Sequence, residues 1–322
     1  MDNVDKTNTE EIMVSVVIAT WNHERYIEKA IRSVLMQKVN FKYEVLIGED
    51  CSPDGTADVL RKLEPELPDN YHIFYREVNY GGDKNFNDLF DKAEGKYMII
   101  LEGDDYWLYE HKLQNQVDFL ECHPEYVAIA HNMKMVDQND NEKVNHSFLE
   151  CKKEEYTLYD YREGFFAGQT ATVMFRNYYK YKQFPDIPLR ISWMGDMRKN
   201  FLFPCWGKVR VIQKQWSAYR QVTGSGTSFS ATLKKDTNFY NKQLIFYEDL
   251  KDYAEKVVQR EDAIKVAETL YLVNYLRCVK RKSDPTKTLS SWIKEFYRAK
   301  YKLSYFAHRL GRIKNSMLKH FR

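Results

Sequence analysis

The sequence lacks any long hydrophobic run. Its longest uninterrupted apolar stretches, residues 97–101 and 126–130, fall far short of the roughly 20 residues that a membrane-spanning helix requires. No bilayer crossing is expected. The leader MDNVDKTNTEEI is polar and acidic and has no apolar segment of the secretory kind, which predicts a chain that stays in the cytoplasm. Cysteine is sparse: Cys51, Cys122, Cys151, Cys205 and Cys278 are widely scattered, with no CxxC pair and no histidine at zinc-finger spacing. A disulfide framework and a structural zinc knot are excluded, and reduced thiols are expected. The eight histidines form no HxxxH pair. His111 and His131 read as packing or surface residues, as does His23, which also lies near a candidate binding loop. Internal repeats and low-complexity tracts are absent.

What is present suffices for a packed core: 322 residues, 43% of them hydrophobic and 15% aromatic, fit one large α/β domain plus an accessory segment. The formal net charge of +3 conceals an asymmetry. Residues 291–322 carry nine Lys or Arg against Glu295 alone, a balance of +8 that leaves the other 290 residues at −5. Basic character confined to one segment argues against nucleic acid as the partner.

Residues 13–20 (MVSVVIAT) form a β-branched run of the kind found in buried strands of parallel sheets. In ERYIEKAIRSVLMQ, Ile27, Ala30, Ile31, Val34 and Leu35 recur at helical spacing and make one stripe that faces a sheet. Residues 43–48 read as a second strand, SPDGT as a turn capping a helix that runs to Leu63, residues 71–76 as a third strand, and residues 96–101 as a fourth. Between the last two, Phe86, Leu89, Phe90 and Ala93 mark another helix. The alternation predicts the α/β class: a mostly parallel sheet flanked by helices, with ligands at the carboxyl ends of the strands. Residues 169–175 (QTATVMF) alternate as a further strand. The expected division is a polar leader over 1–12, a domain over 13–230 with halves at 13–135 and 136–230, and a helical region with a basic tail over 231–322.

The predicted strand ends carry the unusual residues: Ala19-Thr20-Trp21-Asn22, Glu49-Asp50 and Glu102-Gly103-Asp104-Asp105. Carboxylates gathered in this way repel one another unless a cation sits among them. Hard oxygen ligands with waters are the usual setting of Mg2+ or Mn2+. The plainer alternative makes Asp104-Asp105 a capping turn ahead of HKLQNQVDFL.

In order and spacing, VSVVIATWNHERYIEKAIRSVLMQ, YEVLIGEDCSPDGTADVL and YMIILEGDDYWLYEHKLQNQVDFLE resemble the family-two glycosyltransferases of the GT-A fold. The resemblance covers residues 13–228, about two thirds of the chain. It implies a GT-A (Rossmann-like) sheet with a helical C-terminal extension, and inverting sugar transfer from a nucleotide diphosphate donor carrying a divalent metal. By the same resemblance Ala19 and Trp21 hold the base, Trp21 by stacking, and Asp50 accepts a hydrogen bond from the base ring, which favours a UDP-sugar. Asp105 is then the direct metal ligand and Asp104 lies nearer the ribose or sugar. Glu102 stands where Asp is usual, which leaves its part open.

Gly195-Asp196, ahead of the helix-like MRKNFLF, resembles the site whose carboxylate deprotonates the acceptor hydroxyl. That is general-base catalysis from the face opposite the departing diphosphate; an N-cap is the plainer reading. Tyr219-Arg220 resembles a pair that places Arg220 near the diphosphate or the acceptor. Val222 stands where a His is common, and TGSGTS is either a lid or a solvent loop. The implied acceptor is a glycan or lipid-linked glycan of surface-polysaccharide assembly. The aromatic, basic tail over 291–322 fits an anionic membrane surface or a solvated helix packed on the catalytic domain. The rival functions are a nucleotidyltransferase, which usually needs a glycine-rich basic loop that ATWNHERY lacks, and a catalytically silent nucleotide-sugar-binding module.

Overall fold

Val14, Val16 and Ile18 point to one side of strand β1 (Ile12–Thr20), and Ser15 and Val17 to the other. All five are fully buried, which is why the run is apolar without alternating. In the computed structural model, residues 11–144, 149–181, 185–188, 195–222 and 236–310 are described. The chain forms two compact units interleaved along the sequence: residues 1–156, 167–184 and 207–232, and residues 157–166, 185–206 and 233–322.

The first unit is built on a nine-stranded sheet. Its further strands are β2 (Lys42–Glu49), β3 (Tyr71–Tyr75), β4 (Tyr97–Glu102), β5 (Tyr106–Trp107), β6 (Tyr126–Val136), β7 (Glu155–Tyr156), β8 (Met174–Arg176) and β9 (Lys208–Arg220). Their order is β3-β2-β1-β4-β8-β6-β9-β5, with β7 also on β9. The expected parallel arrangement holds through the first four strands. Beyond them the sheet is mixed, because β8 runs antiparallel to both β4 and β6.

Helix α1 (Ile27–Leu35) buries Ile27, Ala30, Ile31 and Val34, the stripe read from the sequence, in the same core as Val16 and Ile47. Each large aliphatic side chain so buried contributes about 1.5–3 kcal/mol. Helices α2 (Thr56–Leu63), α3 (Gly82–Lys92) and α4 (Lys112–Cys122) complete the flanks. The strand expected over 169–175 is shorter. Thr170–Thr172 make a 3-10 turn because the Gln169 side chain accepts from Ala171 N–H and Thr172 Oγ1 donates to the Gln169 carbonyl. These local bonds compete with a strand ladder. All five cysteines are unbridged.

The second unit is mainly helical in its described residues, with α5 (Leu158–Glu163), α7 (Gly195–Trp206), α8 (Thr237–Tyr253), α9 (Glu261–Arg281), α10 (Leu289–Arg298) and a helical stretch over 302–310, besides the short strand Phe165–Phe166. The short α6 (Tyr178–Tyr181) belongs to the first unit. Among the described residues no helix is long and apolar enough to cross a membrane.

Candidate active site

Strands β1, β2 and β4 end together because their parallel register sets Ala19 opposite Gly48 on one side and Glu102 on the other. The backbone stays knitted past the strand ends. Asp50 N–H donates to the Thr20 carbonyl at 3.0 Å, and Gly103 N–H to the Ala19 carbonyl at 3.2 Å. A Cβ at position 103 would lie 2.7 Å from both His23 Nδ1 and Thr20 Oγ1, so only glycine lets the turn after β4 pass this close to the end of β1. Asn22 and Cys51 both have positive φ, 60° and 56°. Non-glycine residues hold such conformations where the surrounding contacts over-determine the turn. Trp21, beside Asn22, is 40% exposed and presents an accessible ring.

The turn Glu102–Asp105 concentrates negative charge. Asp105 is 1% exposed; its Oδ1 accepts the backbone N–H of Arg220 at 2.7 Å and its Oδ2 accepts Gln169 Nε2 at 2.9 Å. Burial, then the neighbouring charges of Asp104 and Glu102, push the Asp105 carboxyl well above the usual carboxylate range, and the two hydrogen bonds offset this only in part. One carboxylate oxygen from each of Glu102, Asp104 and Asp105 lies within 4.8 Å of the others. A divalent cation fits this donor set, since all the ligands are hard oxygens and a positive charge would relieve the repulsion that raises Asp105. Glu102 and Asp104 are partly exposed whereas Asp105 is not. Both Asp105 oxygens are already hydrogen-bonded within the protein, each with a lone pair to spare, while Asp104 and Glu102 offer the more exposed oxygens. His23 stands beside them, its Nε2 3.9 Å from Asp104 Oδ2.

Arg220 is the keystone of this turn and is only 2% exposed. Its Nε donates to the Asp104 carbonyl at 2.9 Å, one terminal nitrogen to the Asp137 carbonyl at 3.0 Å, and the other to Asp140 Oδ1 at 2.7 Å. Its guanidinium also lies 4.4 Å from the Tyr26 ring centroid. A guanidinium so committed holds the acidic turn in place. Lys29 extends the network, pairing with Asp140 Oδ2 at 2.9 Å and sitting 3.8 Å over the Tyr106 ring. Gln169, Asp137, Asp140 and Lys29 carry no sequence signal for this role, because each reaches the turn only through long-range folding.

Asp50 is likewise engaged. Its two oxygens accept the N–H groups of Tyr80 (2.6 Å) and Gly81 (2.9 Å), and Gly81 has φ 78°. Asp50 thus fixes the loop leading into α3, with its remaining lone pairs left for any base contact. Val222 is buried. Residues 223–228, expected as a lid or solvent loop, and the tail over 311–322 lie outside the described residues.

Asp196 belongs to the second unit, in the first turn of α7 rather than at its N-cap. Its Oδ1 accepts Met197 N–H at 2.7 Å and its carbonyl accepts Asn200 Nδ2 at 2.8 Å. Burial raises its carboxyl above the usual range, offset in part by the Met197 N–H and the Lys199 charge. A carboxylate held closer to neutrality is suited to taking up a proton. Ala19, Trp21, Asp50, Glu102, Asp104, Asp105 and Arg220 lie in the first unit, and Asp196 lies in the second.

Comparisons with known proteins agree in direction. Residues 15–181 match the family described as Glycosyl transferase family 2. An uncharacterized protein of Mycobacterium tuberculosis is 26% identical over 208 residues, which is 65% of this chain but 58% of that relative, so the match spans little more than half its length. Bacillus subtilis TuaG, provisionally named as a teichuronic acid biosynthesis glycosyltransferase, is 26% identical over 65% of this chain and 88% of its own. Among solved structures, residues 1–349 of Staphylococcus aureus TarS in complex with UDP-GlcNAc superpose with a TM-score of 0.57, at 19% identity, over 93% of this chain and 92% of that one. At that identity the likeness speaks for the fold.

Proposed function

The chain belongs to glycosyl transferase family 2, and from that premise we propose that it moves a sugar from a UDP-sugar to a hydroxyl of a glycan or lipid-linked glycan, with inversion. The observation that carries this proposal is the convergence of Glu102, Asp104 and Asp105 at the end of β4, braced from behind by Arg220 and Gln169. That TarS was solved with UDP-GlcNAc and with UDP supports the choice of donor class.

Trp21 offers its exposed ring to the base, and Ala19 leaves room beside it. Asp50 shapes the loop at Tyr80-Gly81 and accepts from a base N–H through its remaining lone pairs. Asp104 and Glu102 would hold Mn2+ or Mg2+, with Asp105 setting the turn behind them. Once bound, the cation supplies positive charge against the departing diphosphate. The acceptor oxygen forms its bond to the anomeric carbon as the carbon's bond to the phosphate oxygen breaks. UDP leaves with that electron pair, and the acceptor proton passes to the Asp196 carboxylate. One displacement from the opposite face inverts the centre.

Melting temperatures with UDP, GDP, dTDP and ATP, each with and without Mn2+, test the site, because a ligand that binds the native state stabilises it. The expected result is a metal-dependent rise with UDP that Asp104→Asn loses. Asp196→Asn should keep that rise yet lower turnover by about 10²–10⁴-fold. No rise with any nucleotide, or an equal rise without metal, would overturn the proposal.

A further inference from the structure

The helix over 302–310 is inside out. Its buried positions are Ser304, Tyr305 and His308, while Leu303, Phe306 and Leu310 are exposed, Leu303 to 83%. An ordinary surface helix does the reverse. Polar contacts within the second unit fix this orientation. Buried Glu268 accepts the backbone N–H groups of Lys300 at 2.7 Å and Tyr301 at 2.6 Å, just ahead of the helix. Ser304 Oγ lies 2.8 Å from Thr269 Oγ1, and His308 Nδ1 lies 3.3 Å from a Glu163 oxygen.

Helix α10 also exposes apolar side chains. Leu289, Ile293 and Tyr297 follow one another at four-residue intervals and are exposed, whereas Trp292 turns inward and donates to the Leu272 carbonyl at 3.0 Å. The Phe296 ring meets those of Tyr305 and Phe306 at 5.7 and 5.5 Å, joining the two helices. Apolar side chains pinned outward by polar anchors mark a face that waits for a partner.

Charge decides which partner. Lys294, Arg298 and Arg309 are exposed on the same two helices and Lys300 in the link between them, and Glu295 is the only acid within residues 289–310. Two copies of this face would bring like charges together, whereas anionic headgroups attract them. We propose that the two-helix face docks on an anionic phospholipid surface, seating Ile293, Tyr297, Leu303, Phe306 and Leu310 at the boundary between headgroups and acyl chains. The proposal goes beyond the transfer chemistry and uses none of the residues assigned to it.

The test is co-sedimentation of the full chain with phosphatidylcholine vesicles, with and without phosphatidylglycerol. Binding is expected only to the anionic vesicles and should weaken with added salt. Each of Lys294→Gln and Lys300→Gln should reduce it by about fivefold. The triple variant Leu303→Ser, Phe306→Ser, Leu310→Ser should reduce it at least tenfold while keeping the melting temperature and the UDP-dependent rise. The proposal fails if protein that still shows that rise ignores anionic vesicles, or if the triple variant binds as well as wild type. It fails equally if light scattering reveals a self-association that the triple variant abolishes, which would give the face to a second copy.

Discussion

At the carboxyl end of β4, Asp105 and Arg220 are almost as inaccessible as the valines of β1, whereas along residues 302–310 leucine and phenylalanine face water and a histidine is buried. The acidic turn can hide its charges because the chain itself supplies their partners: Arg220 N–H and Gln169 for Asp105, and Asp104, Asp137 and Asp140 for Arg220. The helix exposes its apolar side chains because its polar ones have found Glu163 and Thr269. Burial at both places follows the partner rather than the polarity of the side chain.

The strongest way to break the acidic half of this contrast is Arg220→Met, which keeps the bulk and removes the guanidinium donors. Stability should fall by about 3 kcal/mol, because the Asp104 and Asp137 carbonyls lose charged donors, while Asp140 is part-exposed and retains Lys29. Denaturant unfolding checks it, and a loss under about 1 kcal/mol would mean that the clamp does not hold the turn. Gln169→Leu is milder. It strips Asp105 Oδ2 of its donor and should cost about 1–3 kcal/mol.

A pH series sharpens the comparison further. A carboxyl whose folded pKa is raised binds its proton more tightly in the folded state, so its contribution is fully present below the unfolded pKa of about 3.9 and is lost as pH rises through the folded value. Asp105 and Asp196 share this sign. In chelator, the melting temperature of wild type relative to Asp105→Asn should therefore decline as pH rises above about 4, and Mn2+ should flatten the decline. A difference that grows with pH would contradict the buried, repelled carboxyl. The smallest effect is expected from Leu303→Ser, whose side chain is already solvated: stability should stay within about 0.5 kcal/mol.

The sheet was legible where one period dominates. The runs at 13–20, 43–48, 71–76 and 96–101 each produced a strand within two residues of the expected ends. Strand β6 showed in the sequence only as the apolar stretch 126–130 and was not read as a strand, because His131, Asn132 and Lys134 interrupt the pattern of a strand that continues to Val136. Strand β9 hides behind Gln213-Lys214-Gln215, which are exposed and sit where the register with β6 shifts. The acidic turn could be read because its members are adjacent in sequence. The inward commitment of Arg220 could not, since its acceptors stand about 80 and 116 positions earlier in the chain. Nor does composition reveal that residues 302–310 bury their polar side; the position of Glu268 and Glu163 decides it.

The absent side chain at position 103 makes the loop that carries Trp21 and the turn that carries the carboxylates two faces of a single wall. Thr20 and His23 line one face of it and Gly103 the other, with less than a methyl group of clearance between them. Such a wall has no play. A substitution at Thr20 or His23 that alters the choice of base is therefore expected to alter the preference between Mg2+ and Mn2+ as well, and variants that change donor and metal requirement together should arise more readily than variants that change either alone.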